Sequence, residues 1–364
     1  MSAVGSAGTG NGLLVIDADG HVNEPPDLWA RYLPAEFVDR APKRVDDEQG
    51  RTRNVIDGEM LEAIPMAPEW NSPDRPTGGW DPAARLVDMD AEGIAQAVLF
   101  PTTGLFFAGV DDAELETALC RAYNDWLYDY AAADRTRLIG IATIPQHDVD
   151  AAVAEARRAV NDLGARGIMV RPNPIAGRPL HDPIYEPLWA TAAELDVPIA
   201  IHEGTTLNVV QSGYDRFEDF AYRHACSHPH EQQIACLSFT CAGILERHPD
   251  LRVVFLESGC GWIAWWLERL DEHMEEWEHA TTPPPLLPSE YFARQCFIST
   301  EPNEHTLPAV VSLMGPDTIL FASDYPHPDA IFPGAVRALS ERTDLAASPI
   351  ANILDTNARR CFGL

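Results

Sequence analysis

Basic residues are scarce in this chain. Its 364 residues carry 26 Lys and Arg against 56 Asp and Glu, a formal net charge of −30, and Lys43 is the single lysine. A surface of that sign repels phosphate backbones and anionic lipid, so no nucleic acid and no membrane is expected as a partner; the same bias is compatible with a general device for solubility. The scarcity of lysine removes Schiff-base chemistry on a core strand and a metal pair bridged by a carboxylated lysine, because Lys43 stands in a charged, proline-flanked stretch. Paired cysteines are missing too. The seven (Cys120, Cys226, Cys236, Cys241, Cys260, Cys296 and Cys361) form no Cys-x-x-Cys, which argues against a disulfide scaffold or zinc ribbon and for a reducing, cytoplasmic location. No run of about 18 apolar residues exists to span a membrane. Residues 1–12 are small and Gly-rich, without a basic start or apolar stretch. They read as a flexible tail ahead of one domain over 13–364, not as a signal peptide.

What the chain does have is short apolar runs, each followed by a stretch of helical period. Eight occur, at 13–17, 95–101, 138–144, 167–170, 197–202, 252–257, 296–300 and 319–324, with helical period at 112–133, 149–163, 187–195 and 261–278. Runs this short and apolar suit buried parallel strands. Eight alternations predict an α/β fold, a (β/α)8 TIM-like barrel with insertions at its C-terminal face. An open doubly wound sheet is the alternative, although no Gly-rich dinucleotide turn follows Asp17. Such a barrel takes about 250 residues. Two stretches account for the surplus: about 36–80, polar and Pro-rich, and 203–233, which holds Tyr214, Phe217, Phe220, Tyr222, His224, His228 and His230. Residues 281–288, with four prolines, read as a stiff surface linker.

Polar residues at strand ends carry the chemical signal, because in a barrel they point into the catalytic mouth. The first run ends Asp17-Ala18-Asp19-Gly20-His21. Asp19 and His21 leave the same face of an extended chain, about 7 Å apart, and can converge on one ion. Asp17 shares their parity one step deeper, where it serves structure or site. The fifth run ends in His202 and the eighth in Asp324-Tyr325-Pro326-His327. A carboxylate ending a buried strand needs a partner, and a cation is the economical one; His327 can share that site or support it. Glu257, ending the sixth run, fits either the site or a salt bridge to an arginine, and Cys260 either a nucleophile or a buried thiol.

Asp19-x-His21, His202, Glu257 and Asp324, together with the segments 19–25, 228–232, 257–262 and 323–327, resemble the amidohydrolase superfamily over residues 13–362. The resemblance is to the amidohydrolase-related branch that includes aminocarboxymuconate semialdehyde decarboxylase. It implies metal ligands at Asp19, His21, His202 and Asp324. Where the family has a catalytic strand-six His, this chain has Glu257. The resulting surplus of ligands (Asp19, His21, His202, His228, Glu257 and Asp324, with Glu24 and His327 as further ligands or supports) resembles a small group of dinuclear non-heme oxygenases, among them the diiron hydroxylase of platensimycin and platencin biosynthesis.

That resemblance implies a monooxygenase with two metal ions, iron before manganese or zinc. One ion would sit on Asp19, His21 and Asp324, the other on His202, His228 and Glu257. With O2 as co-substrate it would hydroxylate a C–H bond of a small apolar molecule such as a diterpenoid thioester, with Glu257 and His327 as catalytic groups. Trp70, Trp80, Phe106 and Phe107 would line the substrate pocket or pack beneath loops. The alternatives are a mononuclear metal-dependent hydrolase or non-oxidative decarboxylase, and a catalytically silent partner subunit. A homodimer is the expected assembly.

Overall fold

The computed structural model describes residues 14–62, 76–204, 209–280, 282–328 and 330–364. Trp70 and the tail over 1–12 lie outside them. Eight parallel strands form where the apolar runs are: β1 (Val15–His21), β2 (Ile94–Phe100), β3 (Leu138–Gly140, resuming as Ala142–Thr143), β4 (Ile168–Val170), β5 (Ile199–Ile201), β6 (Val253–Phe255), β7 (Cys296–Thr300) and β8 (Ile319–Phe321). Each pairs with its successor in chain order, from Val15 opposite Ile94 to Thr300 opposite Phe321. The circle closes where Asp324 N donates to Asp19 O (2.9 Å) and His21 N to Tyr325 O (2.6 Å). Closure settles the architecture as a (β/α)8 barrel over the open sheet. The strands are buried on both faces, and this is why their sequences are uniformly apolar instead of alternating.

Helices wrap the strands at the expected places: Ala113–Ala131, Val149–Asn161, Glu186–Glu194 and Ile263–Glu276. Asp112 and Asp148 cap the first two through their carboxylates. The 113–131 helix turns Leu115, Leu119, Tyr123, Trp126 and Tyr130 into the core, each such burial stabilising by about 1.5–3 kcal/mol. Among the described residues no helix is long and apolar enough to cross a membrane.

Both surplus stretches contain regular structure that the sequence reading passed over. The first holds a small antiparallel sheet, Lys43–Asp46 with Thr52–Ile56 and Glu59–Met60. Its second hairpin turns at Asp57-Gly58, both with positive φ (54° and 79°), a turn that Asp-Gly favours. In the second stretch, a helix starts at Phe220 and runs to Cys241 through Pro229, capped by Asp219. His228 therefore stands on a helix, not in a loop.

Candidate metal centre

Two imidazoles are fixed first. His21 ends β1, and its Nδ1 lies 2.8 Å from the carbonyl oxygen of Pro101, just past β2. His202 follows β5, and its Nδ1 lies 2.7 Å from the Glu203 carbonyl oxygen. A carbonyl only accepts, so each Nδ1 donates and each ring directs its Nε2 into the site. Those two Nε2 atoms face each other at 3.2 Å.

Carboxylates close around them. Asp19 Oδ1 is 3.6 Å from His21 Nε2 and 3.5 Å from His202 Nε2. Glu257 Oε2 is 3.2 Å from His202 Nε2 and 3.9 Å from His21 Nε2. Asp324 Oδ1 is 3.4 Å from His21 Nε2. Asp19 Oδ1 and Glu257 Oε2 are buried and have no hydrogen-bond partner. Two ring nitrogens and three carboxylates thus converge on one point, two of the oxygens without a hydrogen bond. Buried acceptors left facing one another are costly, and the set of imidazole and carboxylate donors fits a divalent cation. The candidate ligand atoms of Asp19, His21 and His202 lie within 4.8 Å of one another, as do those of His21, Glu257, Asp324 and His327.

Electrostatics follow from the crowding. Burial, then the neighbouring His327 and His202, hold the His21 imidazole well below its ordinary pKa. Burial also lowers His202, but the Asp19 and Glu257 carboxylates outweigh it and raise this ring. Glu257 is pushed well above the carboxylate range by burial and then by the like charge of Asp324. Backbone conformation places both carboxylates: Glu257 has φ 49° and Asp324 φ 56°, the left-handed region that non-glycine residues enter at a cost.

The other expected residues fall into three groups. His327 belongs to the site: its Nδ1 is 2.8 Å from Asp324 Oδ1, its Nε2 is 3.0 Å from Thr102 Oγ, and its ring stacks on His21 with 4.0 Å between centroids. His228 stands at the edge, with Nε2 3.8 Å from Glu257 Oε1 and Nδ1 3.5 Å from Glu203 Oε2. The partition into a second centre of His202, His228 and Glu257 does not form; among the described residues the candidate clusters share His21 instead. Glu24 is elsewhere as well, because its two oxygens accept from Thr103 N (2.8 Å) and Gly104 N (2.9 Å) and fasten the loop after β2. Cys260 is a buried thiol whose pKa burial drives up. Phe107 packs on Trp29 with 5.8 Å between centroids, Phe106 is buried and Trp80 is exposed.

Sequence reasoning missed Arg171. Fully buried, it donates to Leu105 O, Asn173 Oδ1, Glu203 Oε1 and Gly204 O, tying the loops after β2 and β5 together behind His202. The signal was present, since Arg171 directly follows the apolar run of β4.

A family model for the amidohydrolases matches residues 16–364. The chain belongs to the amidohydrolase family. Among relatives of this family member, the gamma-resorcylate decarboxylase of Rhizobium sp. (strain MTP-10005) is 29% identical over 292 residues, 77% of this chain and 86% of the relative. The 2-amino-3-carboxymuconate-6-semialdehyde decarboxylase of Dictyostelium discoideum is 26% identical over 293 residues, 78% of this chain and 77% of the relative. An amidohydrolase from Mycobacterium avium subsp. paratuberculosis K-10 superposes with a TM-score of 0.80 at 25% identity, over 97% of this chain and 98% of that one. A dihydroxybenzoic acid decarboxylase from Polaromonas sp. JS666, solved with bound manganese, superposes with a TM-score of 0.69 at 22% identity, over 97% of each chain.

The two sequence relatives overturn the expectation of a dinuclear iron monooxygenase that hydroxylates with O2. The Rhizobium and Dictyostelium proteins are decarboxylases, and they favour the alternative given beside it. The oxygenase reading failed because it counted ligand-type residues near strand ends. Glu24 proved to be bound to backbone amides, and His228 stands outside both clusters.

Proposed function

We propose that this amidohydrolase is a metal-dependent decarboxylase that removes CO2 from a small aromatic or unsaturated carboxylic acid. The observation that carries the metal reading is the convergence of Asp19 Oδ1, buried without a hydrogen-bond partner, and Asp324 Oδ1 on the facing Nε2 atoms of His21 and His202. The reaction is supported by the decarboxylase relatives. Asp19, His21, His202 and Asp324 would hold one divalent ion, and the share of carboxylate oxygen suits manganese at least as well as zinc. Bound there, the ion supplies a Lewis acid that fixes and polarises an oxygen of the substrate.

The chain's own residues do the rest. Losing CO2 leaves an electron pair on carbon, which must take a proton: R–COO⁻ and H⁺ give R–H and CO2. Glu257 is placed for that transfer, being 22% exposed beside a floor that is buried. Its Oε1 faces His228 Nε2, which stands ready to return a proton. His327 orients Asp324 through the 2.8 Å contact and is held in turn by Thr102.

The test is CO2 release under nitrogen from manganese-loaded protein, offered 2,6-dihydroxybenzoate, other hydroxybenzoates and 2-amino-3-carboxymuconate semialdehyde. Release from one of these acids, with one solvent deuteron appearing at the vacated carbon in D2O, is the expected result. Turnover of no acid, or turnover only with O2, contradicts the proposal.

A further inference from the structure

The parallel ladders that join neighbouring strands stop between β8 and β1. That seam matters, because Asp19 and His21 stand on one side of it and Asp324 on the other. Besides the two backbone bonds, Asp324 N to Asp19 O and His21 N to Tyr325 O, one carboxylate spans it. Asp17, fully buried on β1, accepts from Ser323 N (2.9 Å) and more distantly from Asp19 N (3.4 Å) through Oδ1, and from Ser323 Oγ (2.6 Å) through Oδ2. Ser323 Oγ in turn accepts from Tyr325 N at 3.1 Å. The residues on both sides of Asp324, and Asp19 itself, are therefore referred to one group.

Arg85, on the helix Pro82–Glu92, braces the same point. Its Nη1 donates to His21 O (2.7 Å) and its guanidinium lies 4.5 Å from the Tyr325 ring centroid. Gly20 is the residue that lets these groups close in: a Cβ there would collide with Arg85 Nη2 and stand 2.9 Å from Asp17 Oδ2.

We infer that Asp17 and Ser323 are positioning residues for the metal, setting the separation between Asp19 and His21 on β1 and Asp324 beyond β8. The inference rests on the metal reading above. Asp324 has a strained φ of 56°, and such a conformation persists only when its surroundings over-determine it. The two hydrogen bonds from Ser323 to Asp17 hold the backbone immediately before it. A carboxylate behind a ligand tunes affinity by fixing the ligand's direction. A seam that served folding alone would leave affinity unchanged.

The experiment compares wild-type, Ser323→Ala and Asp17→Asn proteins, stripped of metal and titrated with Mn²⁺ against a chelating dye, with no substrate present. Ser323→Ala keeps the backbone bond and removes only the hydroxyl, so it is the milder change. Circular dichroism at the titration temperature checks that each is folded. Both variants are expected to bind Mn²⁺ about 10- to 100-fold more weakly and to gain less in Tm on adding Mn²⁺. Unchanged affinity in the folded variants overturns the inference and leaves the seam a role in folding. A wild-type protein that binds no Mn²⁺ overturns the metal reading itself.

Discussion

The candidate centre has a floor and a rim, and the two are built differently. On the floor, the side chains of Asp19, His21 and His202 are 1%, 0% and 0% exposed, and backbone carbonyls aim both imidazoles. On the rim, Glu257, Asp324 and His327 are 22%, 21% and 13% exposed. Both rim carboxylates sit on left-handed backbone. The difference separates two tasks. Buried ligands on a strand or directly after one give a fixed, dry geometry for holding an ion. Strained, reachable groups on the turns beyond the strands can meet a substrate. Within the centre the left-handed backbone falls on the rim, at Glu257 and Asp324, and not on the floor.

The sharpest way to break this comparison is to damage the floor. His202→Ala is expected to abolish stoichiometric Mn²⁺ in metal analysis and to lower kcat/KM by about 10³-fold or more. Retention of metal and activity would dissolve the distinction. Damage to the rim comes next. Glu257→Gln should lower kcat by about 10²- to 10⁴-fold with metal content unchanged; loss of the metal as well would make Glu257 part of the floor. A smaller effect tests the strain. Glu257→Gly relieves the positive φ and the crowding with Asp324, and should stabilise the metal-free protein by about 1–2 kcal/mol in chemical denaturation. A less stable variant would show that Glu257 supports the fold.

The smallest effect concerns a histidine away from the centre. Whereas burial lowers His21, His147 is raised chiefly by its hydrogen bond to Glu116, 3.0 Å away. A histidine with a raised folded pKa contributes stability that is complete below its unfolded value of 6.5 and fades as pH climbs through the folded value. His147→Asn should therefore cost more stability at about pH 5.5 than at about pH 8.5, by less than about 1 kcal/mol. An equal cost at both would show that the imidazole's charge contributes nothing.

How much of this was legible in the sequence follows from locality. The eight strands could be read because both faces of a barrel strand are buried, so the apolar run itself is the signal. Asp19, His21, His202 and Asp324 could be read because each ends such a run. The hairpin at Asp57-Gly58 carried its own turn signal and was hidden only by the polar surroundings. Other features depend on contacts that no local pattern encodes. Asp17 meets Ser323 across 306 positions of chain, and Glu24 meets Thr103 and Gly104 across about 80. His228 stood near other histidines in the sequence, but the helix through Pro229 decides which of them turns inward. A carboxylate bound to backbone amides and one bound to a metal look alike until the chain has folded.

The most direct test is an anomalous difference map from crystals of the full chain soaked in MnCl2, measured at the manganese edge. A single peak among Asp19, His21, His202 and Asp324 is the predicted result. No peak there, or peaks only on other residues, would contradict the account.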